Sequence, residues 1–247
     1  MLPKFIKPTP CFVRLFSLRS NALQCRCYIS LQTITCNLYD QDSRIVFAQT
    51  VTHQDTVRDL KQLLQAAISR YQIKSLSILL ATEYCRFLTL PASETFSAEM
   101  QEARISVRFQ ALYPSDTLSH FSICADQEMF NTPQLVVAVE KDLLDQVQAV
   151  LSCLKLRCQT ITPLVIDLWN TLQSTLGTRN LQVQEGTTDT FLMQQQGQIF
   201  AVQQRPHQKS LSSITDHQNV DDAWFYWPPH TTQGLQADAL LSYKEAR

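Results

Sequence analysis

Residues 134–172 constrain the fold more than any other stretch of this chain. A strand of the fully buried type (135–139) runs straight into a helical pattern with Leu143, Leu144, Val147, Val150, Leu151 and Leu154 on one face. A second strand is expected at 156–162, and a second helix from about Pro163. A βαβα unit of this kind belongs to a mixed α/β core.

The 247 residues, 45% of them hydrophobic, suffice for one sizeable domain or two lobes. The 21 Lys and Arg nearly cancel the 22 Asp and Glu, so no global field draws in nucleic acid. The basic, apolar leader 1–23 is interrupted by Pro3, Lys4, Lys7, Pro8, Pro10 and Arg14, and lacks the continuous apolar run of a signal peptide. It is neither a clear amphipathic helix nor marked for lipidation; contact with a bilayer surface and a mobile leader both remain open. No run of about 18 apolar residues is present for a membrane span. The eight cysteines are therefore expected to be mostly reduced and to pack as small hydrophobes.

The chain before this unit alternates as strands do. Residues 24–51 read as an antiparallel meander of two or three strands with a polar turn at 40–43. Asp55 is a plausible N-cap for a helix ending near Tyr71, followed by the strand-like SLSILLA and CRFLTLPA. This order opens many α/β folds, including the ribonuclease H-like half that actin-like proteins duplicate. Ser97 is positioned to cap a helix running to about Leu112. That helix carries two apolar stripes, Met100, Ala103, Val107 and Ile105, Phe109, Leu112, as expected for a helix between two packed layers, one of which a partner could supply. A strand is expected at 118–125 and a loop at 126–132. Beyond the second helix of the unit, Gly177 is a natural C-cap. Residues 181–204 read as two strands joined by a turn at 194–198, and the polar segment 206–222 as a loop. WFYWPP is a compact apolar knot, and the last eleven residues read as a short helix.

Catalytic motifs are sparse. The four glycines, Gly177, Gly186, Gly197 and Gly234, assemble neither a P-loop nor a dinucleotide loop. Cys25 and Cys27, with Cys36 beyond them, come nearest to a metal cluster. A CxC on a strand points both thiols to one face, but no second pair or histidine stands at a customary ligand spacing, so no metal site is assigned. Cys153 and Cys158 are expected to be buried in packing. The five histidines are scattered without a triad. Asp40, Asp42, Glu83 and Asp189 fall at strand ends or in turns. A ribonuclease H-like nuclease needs a carboxylate in the middle of its first strand, where this chain has Ser30 between Ile29 and Leu31. No catalytic residue is assigned.

The order of LTLPASETFSAEMQEARISVRFQALYP and LVVAVEKDLLDQVQAVLSCLKLRCQTITPLVIDLWNTL resembles the PilM family of actin-like proteins, with MshI, HofM and the cytoplasmic domain of the secretion protein GspL. A strand ending in Leu-Pro leads to a helix that stops at a Tyr-Pro, here Tyr113 and Pro114. The blocks 136–141 and 156–168 follow in the family's order. The resemblance covers about 24–205 and the last dozen residues, and it consists of hydrophobic blocks with few identities.

The resemblance implies an actin-like, ribonuclease H-like two-lobed α/β fold: a first lobe over 24–163 with an inserted subdomain at about 93–155, and a shortened second lobe over 164–247. Members that bind ATP place phosphate loops at two strand turns, where glycine admits the phosphates and an acid orients hydrated Mg²⁺. The first turn here has Ser30 and Gln32 in place of the glycine and acid. The second, VQEGTTDT, retains Gly186, Thr187, Thr188 and Thr190 with Gln184 or Glu185 near the acid's place; by its residues alone it reads first as a polar β-turn. The glycine-rich adenosine segment is absent, and the chain is about a hundred residues shorter than a typical member. ATP is expected to bind poorly or not at all.

By the same resemblance the chain is a cytoplasmic, non-catalytic adaptor at the inner face of the bacterial inner membrane, serving a type IV pilus or a type II secretion platform. Its partners would be the cytoplasmic tail of a bitopic protein of the PilN type and the assembly ATPase, with membrane association indirect. An ATP-binding protein of the same machinery and an unrelated α/β binding module are the alternatives.

Overall fold

A computed structural model describes residues 23–52, 54–92, 97–126, 132–195, 197–206 and 223–227, the last for the backbone alone. The meander forms as three strands: β1 (Leu23–Ile29), β2 (Thr33–Tyr39) and β3 (Ile45–Thr52). Asp55 caps α1 (Thr56–Ile68) by accepting from the Arg58 amide at 3.0 Å, which satisfies one of the unpaired amides of the first turn. The helix presents Leu60, Leu63, Leu64 and Ala67 to the core. It returns the chain to β4 (Ile73–Leu80), which pairs parallel with β1. Leu76, Ile78, Leu79 and Leu80 leave β4 buried on both faces, as a central strand must be.

The unit at 134–172 is present as β7 (Gln134–Glu140), α3 (Lys141–Cys153), β8 (Cys158–Pro163) and α4 (Leu164–Leu176). Its two strands enter different sheets. β8 closes a five-stranded sheet of order β3-β2-β1-β4-β8, the ribonuclease H-like order. β7 instead lies between β5 (Cys85–Leu90) and β6 (Phe121–Ala125) in a three-stranded antiparallel sheet. α1 packs on α3. α4 lies across β4 and β8, and its Asp167 reaches Arg26 of β1 at 3.6 Å. Gly177, at φ +62°, ends α4 in the left-handed conformation that a side chain disfavours.

Residues 181–204 differ from the two-strand expectation. They form β9 (Leu181–Glu185), β10 (Thr188–Gln195) and most of β11 (Gln198–Pro206), so Gly186 and Thr187 make a second tight turn. Gly186 has φ +55° and Thr187 does not share that region, the Gly-first arrangement of a two-residue hairpin. Backbone from the expected apolar knot forms β12 (Ala223–Trp227), parallel to β9. The order β11-β10-β9-β12 thus repeats β3-β2-β1-β4: an antiparallel meander whose first strand takes a later strand in parallel. Of the loop expected at 206–222, Pro206 ends β11 and the rest lies outside the described residues, as do the terminal helix, the leader 1–22 and most of the loop at 126–132.

α2 (Ala98–Leu112), capped by Ser97, covers one face of the three-stranded sheet. Ile105 and Phe109 pack with Leu88, Leu90, Phe121, Val136 and Ala138. The other face, with Phe87, Val137 and Val139, joins the main core. The expectation of two covered stripes is corrected: Met100 and Val107 are exposed, Val107 at 72%, and Leu112 has left the buried stripe. The sheet covers α2's inner face, and among the described residues no second layer packs on its outer face. Cys153 is exposed and Cys158 half-buried, against the expectation that both are core; Cys153 sits at the C-terminal end of α3 and faces outward.

Phe109→Asp should therefore unfold this sheet at a cost of at least about 3–5 kcal/mol, the range for deleting a buried phenyl ring. Val107→Asp should stay within about 0.5 kcal/mol of the parent. Urea denaturation of both variants checks the assignment.

Candidate functional site

Because the two meanders share one topology, their first turns project from equivalent strand ends: residues 30–32 after β1, and Gly186 with Thr187 after β9. The space between them is the place to look for a ligand in a duplicated fold of this kind. Each turn is built from its own residues, and each is already engaged.

At the first turn, Ser30 fills the interior. Its hydroxyl oxygen accepts from the amides of Thr33 at 3.0 Å and Gln32 at 3.3 Å, and the Ser30 amide donates to the Thr33 carbonyl at 2.9 Å. The amides that would have to point outward at an anion are turned onto a side chain of the same loop. Leu31, at 57% exposure, stands on the tip.

The second turn meets acids. β9 alternates so that Leu181, Val183 and Glu185 share one face, and the first two lie in the main core. Glu185 is the continuation of that apolar row and is 1% exposed. Tyr28 of β1, itself buried, donates its hydroxyl to Glu185 Oε1 at 3.0 Å, joining the ends of β1 and β9. Burial raises the Glu185 pKa to about 8; the Thr82 and Tyr28 hydroxyls and the Thr82 amide lower it in part, and Glu83 adds a further upward push. Thr82 lies near without completing a geometrically sound hydrogen bond to Oε2, which has no partner in the described structure. The carboxyl is thus predominantly protonated at pH 7. Burial also raises the Tyr28 phenol, with the Glu185 charge adding to it, so tyrosine remains the donor.

The one-turn helix Thr82–Tyr84, between β4 and β5, binds the sheets together here. Tyr84 donates to the Ser30 carbonyl at 3.1 Å. Gln204 of β11 donates to the carbonyls of Thr82 at 3.0 Å and Cys85 at 3.4 Å. Glu83 lies against the hairpin tip: a Cβ added to Gly186 would be 3.3 Å from its Oε1. Burial raises the Glu83 pKa as well.

Gly186 and Thr187 are exposed at the tip, Thr188 is half-buried at the start of β10, and Thr190 is fully buried in the core with no hydrogen-bond partner for Oγ1. The four do not share one surface. Tyr28, Thr82 and Gln204 carry no motif, and only the fold brings them to this place. Glu185 was legible in part, since LQVQE sets an acid in register with two core positions. Elsewhere, Cys25 and Cys27 are joined by Cys36 from the neighbouring strand, with all three sulfurs within 4.8 Å of one another. A polar pocket of about 410 Å³ at the opposite strand ends is lined by Arg26, Asp40, Lys74, Ser75, Ser77 and Gln159 among others.

No family model matches the sequence, and no curated protein matches it. Solved structures match in fold. The cytoplasmic domain of EpsL, an inner-membrane component of the type II secretion system of Vibrio cholerae, aligns with TM-score 0.51 and 9% identity over 75% of this chain and 71% of that one. A Bacteroides thetaiotaomicron protein of actin-like ATPase fold and unknown function aligns with TM-score 0.52 and 14% identity over 76% and 71%. The PilM–PilN type IV pilus biogenesis complex gives TM-score 0.52 and 14% identity over 76% of this chain and 62% of that one. The chain is thus an actin-like protein in fold. Within that fold it is similar to PilM and to the GspL-type cytoplasmic domain.

Glu185→Gln tests the neutral carboxyl. Between about pH 4.5 and 8 the unfolded chain releases this proton while the folded chain keeps it, so this group's contribution to stability declines as pH rises. A glutamine still accepts from Tyr28 and carries no charge. The variant's stability relative to the parent should grow from pH 5 to pH 8 by a few kcal/mol. Urea midpoints at pH 5, 6.5 and 8 measure the trend; a constant difference would refute it.

Proposed function

We propose that the chain is a non-catalytic, actin-like adaptor in the assembly platform of a type IV pilus, PilM- or MshI-like, or of a type II secretion system. In this role it receives the cytoplasmic tail of a bitopic membrane protein of the PilN type and relays it to the assembly ATPase. The observation that carries the non-catalytic part is the state of the cleft. Its two turns offer an occupied serine loop and two carboxyls, Glu83 and Glu185, where a triphosphate needs free amides and room. An ionised phosphate chain brought there would meet Glu83 and would have to displace the Tyr28–Glu185 contact.

The machinery is proposed from the fold shared with EpsL and the PilM–PilN complex, each of which belongs to such a system. A cytoplasmic position at the inner face of the inner membrane follows from the same reading. No helix among the described residues is long and apolar enough to cross a membrane, which fits recruitment through a partner's tail.

Calorimetric titration with Mg-ATP should give no heat of binding up to millimolar nucleotide. Micromolar binding that is lost in Gly186→Asp would overturn the non-catalytic reading, because that substitution strains a φ of +55° and crowds Glu83 at the second turn. Co-purification with a bitopic pilus or secretion protein should survive in Glu185→Gln. Failure to recover any such protein would remove the adaptor role while leaving the nucleotide result standing.

A further inference from the structure

Three sulfurs meet inside the core of the five-stranded sheet. In the β1–β2 ladder Cys27 is directly opposite Cys36, and Cys25 is two residues along β1 on the same face. Arg26, between them, points to Asp167 of α4, so the cysteines face away from that helix. Cys25 Sγ is 3.5 Å from Cys36 Sγ and 3.7 Å from Cys27 Sγ. All three residues are at most 1% exposed.

We propose that Cys25, Cys27 and Cys36 are the ligands of one soft d¹⁰ metal ion, zinc(II) or copper(I). The spacing is that of sulfurs sharing an ion. Two thiolates about 2.3 Å from one centre stand roughly 3.8 Å apart in a tetrahedral site and roughly 4.0 Å apart in a trigonal one. The separations of 3.5 and 3.7 Å reach this with shifts of a few tenths of an ångström. The donor set is all sulfur, which selects thiophilic ions over magnesium or calcium.

The ligand is the thiolate, so filling the site takes the proton from each of the three cysteines whichever ion enters. The bound unit then carries one net negative charge with zinc(II) and two with copper(I), so burial favours zinc(II). Cys158 occupies the same row of the sheet beyond Leu76, but its thiol donates to the Thr160 carbonyl and stands outside the cluster. With the sulfurs buried, the ion enters as the chain folds. The assignment is independent of the adaptor reading.

The test is refolding of the full chain, anaerobically, with one equivalent of zinc(II) in one arm and copper(I) in the other, followed by gel filtration and elemental analysis. The expected result is about one ion retained per chain, with elemental analysis showing which of the two ions is held. X-ray absorption of the loaded protein should give a sulfur-only shell at about 2.3 Å. Cys36→Ala should retain less than about a tenth of the ion, while Cys124→Ser with Cys153→Ser, both exposed, should retain it fully. The wild-type measurements stand even if the alanine variant fails to fold. The proposal is overturned if the wild type retains neither ion, if the shell contains nitrogen or oxygen, if Cys36→Ala folds and retains the ion in full, or if the mass shows a disulfide within the cluster.

Discussion

One buried hydrogen bond, from Tyr28 at the end of β1 to Glu185 at the end of β9, joins the two meander sheets above the apolar core they share. Burial, against the pull of the Tyr28 hydrogen bond, favours a carboxyl without charge here, since a carboxylate in that position would lose its hydration. Burial supplies the neutral form and the phenol supplies the partner. The interface is completed by Thr82–Tyr84, which reaches the Ser30 carbonyl on one side and Gln204 on the other. A clamp thus occupies the ground between the two first turns.

That clamp is the structural ground for the scaffold role proposed for this actin-like fold. The fold hosts both catalysts and scaffolds, so function has to be argued from the turns. Phosphate recognition there needs outward amides and a close backbone approach. Ser30 consumes the first set of amides, and Glu83 shields the single glycine of the second turn. The same contacts tie the two first turns together, a useful property in a protein whose proposed task is to hold partners in place.

The elements were largely legible in the sequence, because periodicity and caps are local. Asp55, Ser97 and Gly177 stand at the helix ends where their chemistry places them. The failures were of three kinds. In 181–204 three strands read as two: VQEGTTDT reads as a polar β-turn, but the strand-like residues on both sides of it read together as one strand. The two apolar stripes of α2 are indistinguishable in composition, and the sheet beneath it covers one. Cys153 and Cys158 read as core from residue type alone, whereas exposure depends on which way the end of α3 and an edge strand face.

Taken alone, the chain determined its α/β class, the meander–helix–strand order of the first sheet, and the absence of the glycine-rich loops on which nucleotide recognition depends. These follow from patterns spanning a few residues and from the chemistry of residues that are missing. Only the tertiary structure decided that β7 and β8 enter different sheets and that β9 to β12 repeat the topology of β1 to β4. It alone brought Tyr28 to Glu185, 157 positions away, and Cys36 to Cys25 and Cys27. The physical reason is that strand pairing and register are settled by burial summed over the whole sheet, which no local window contains.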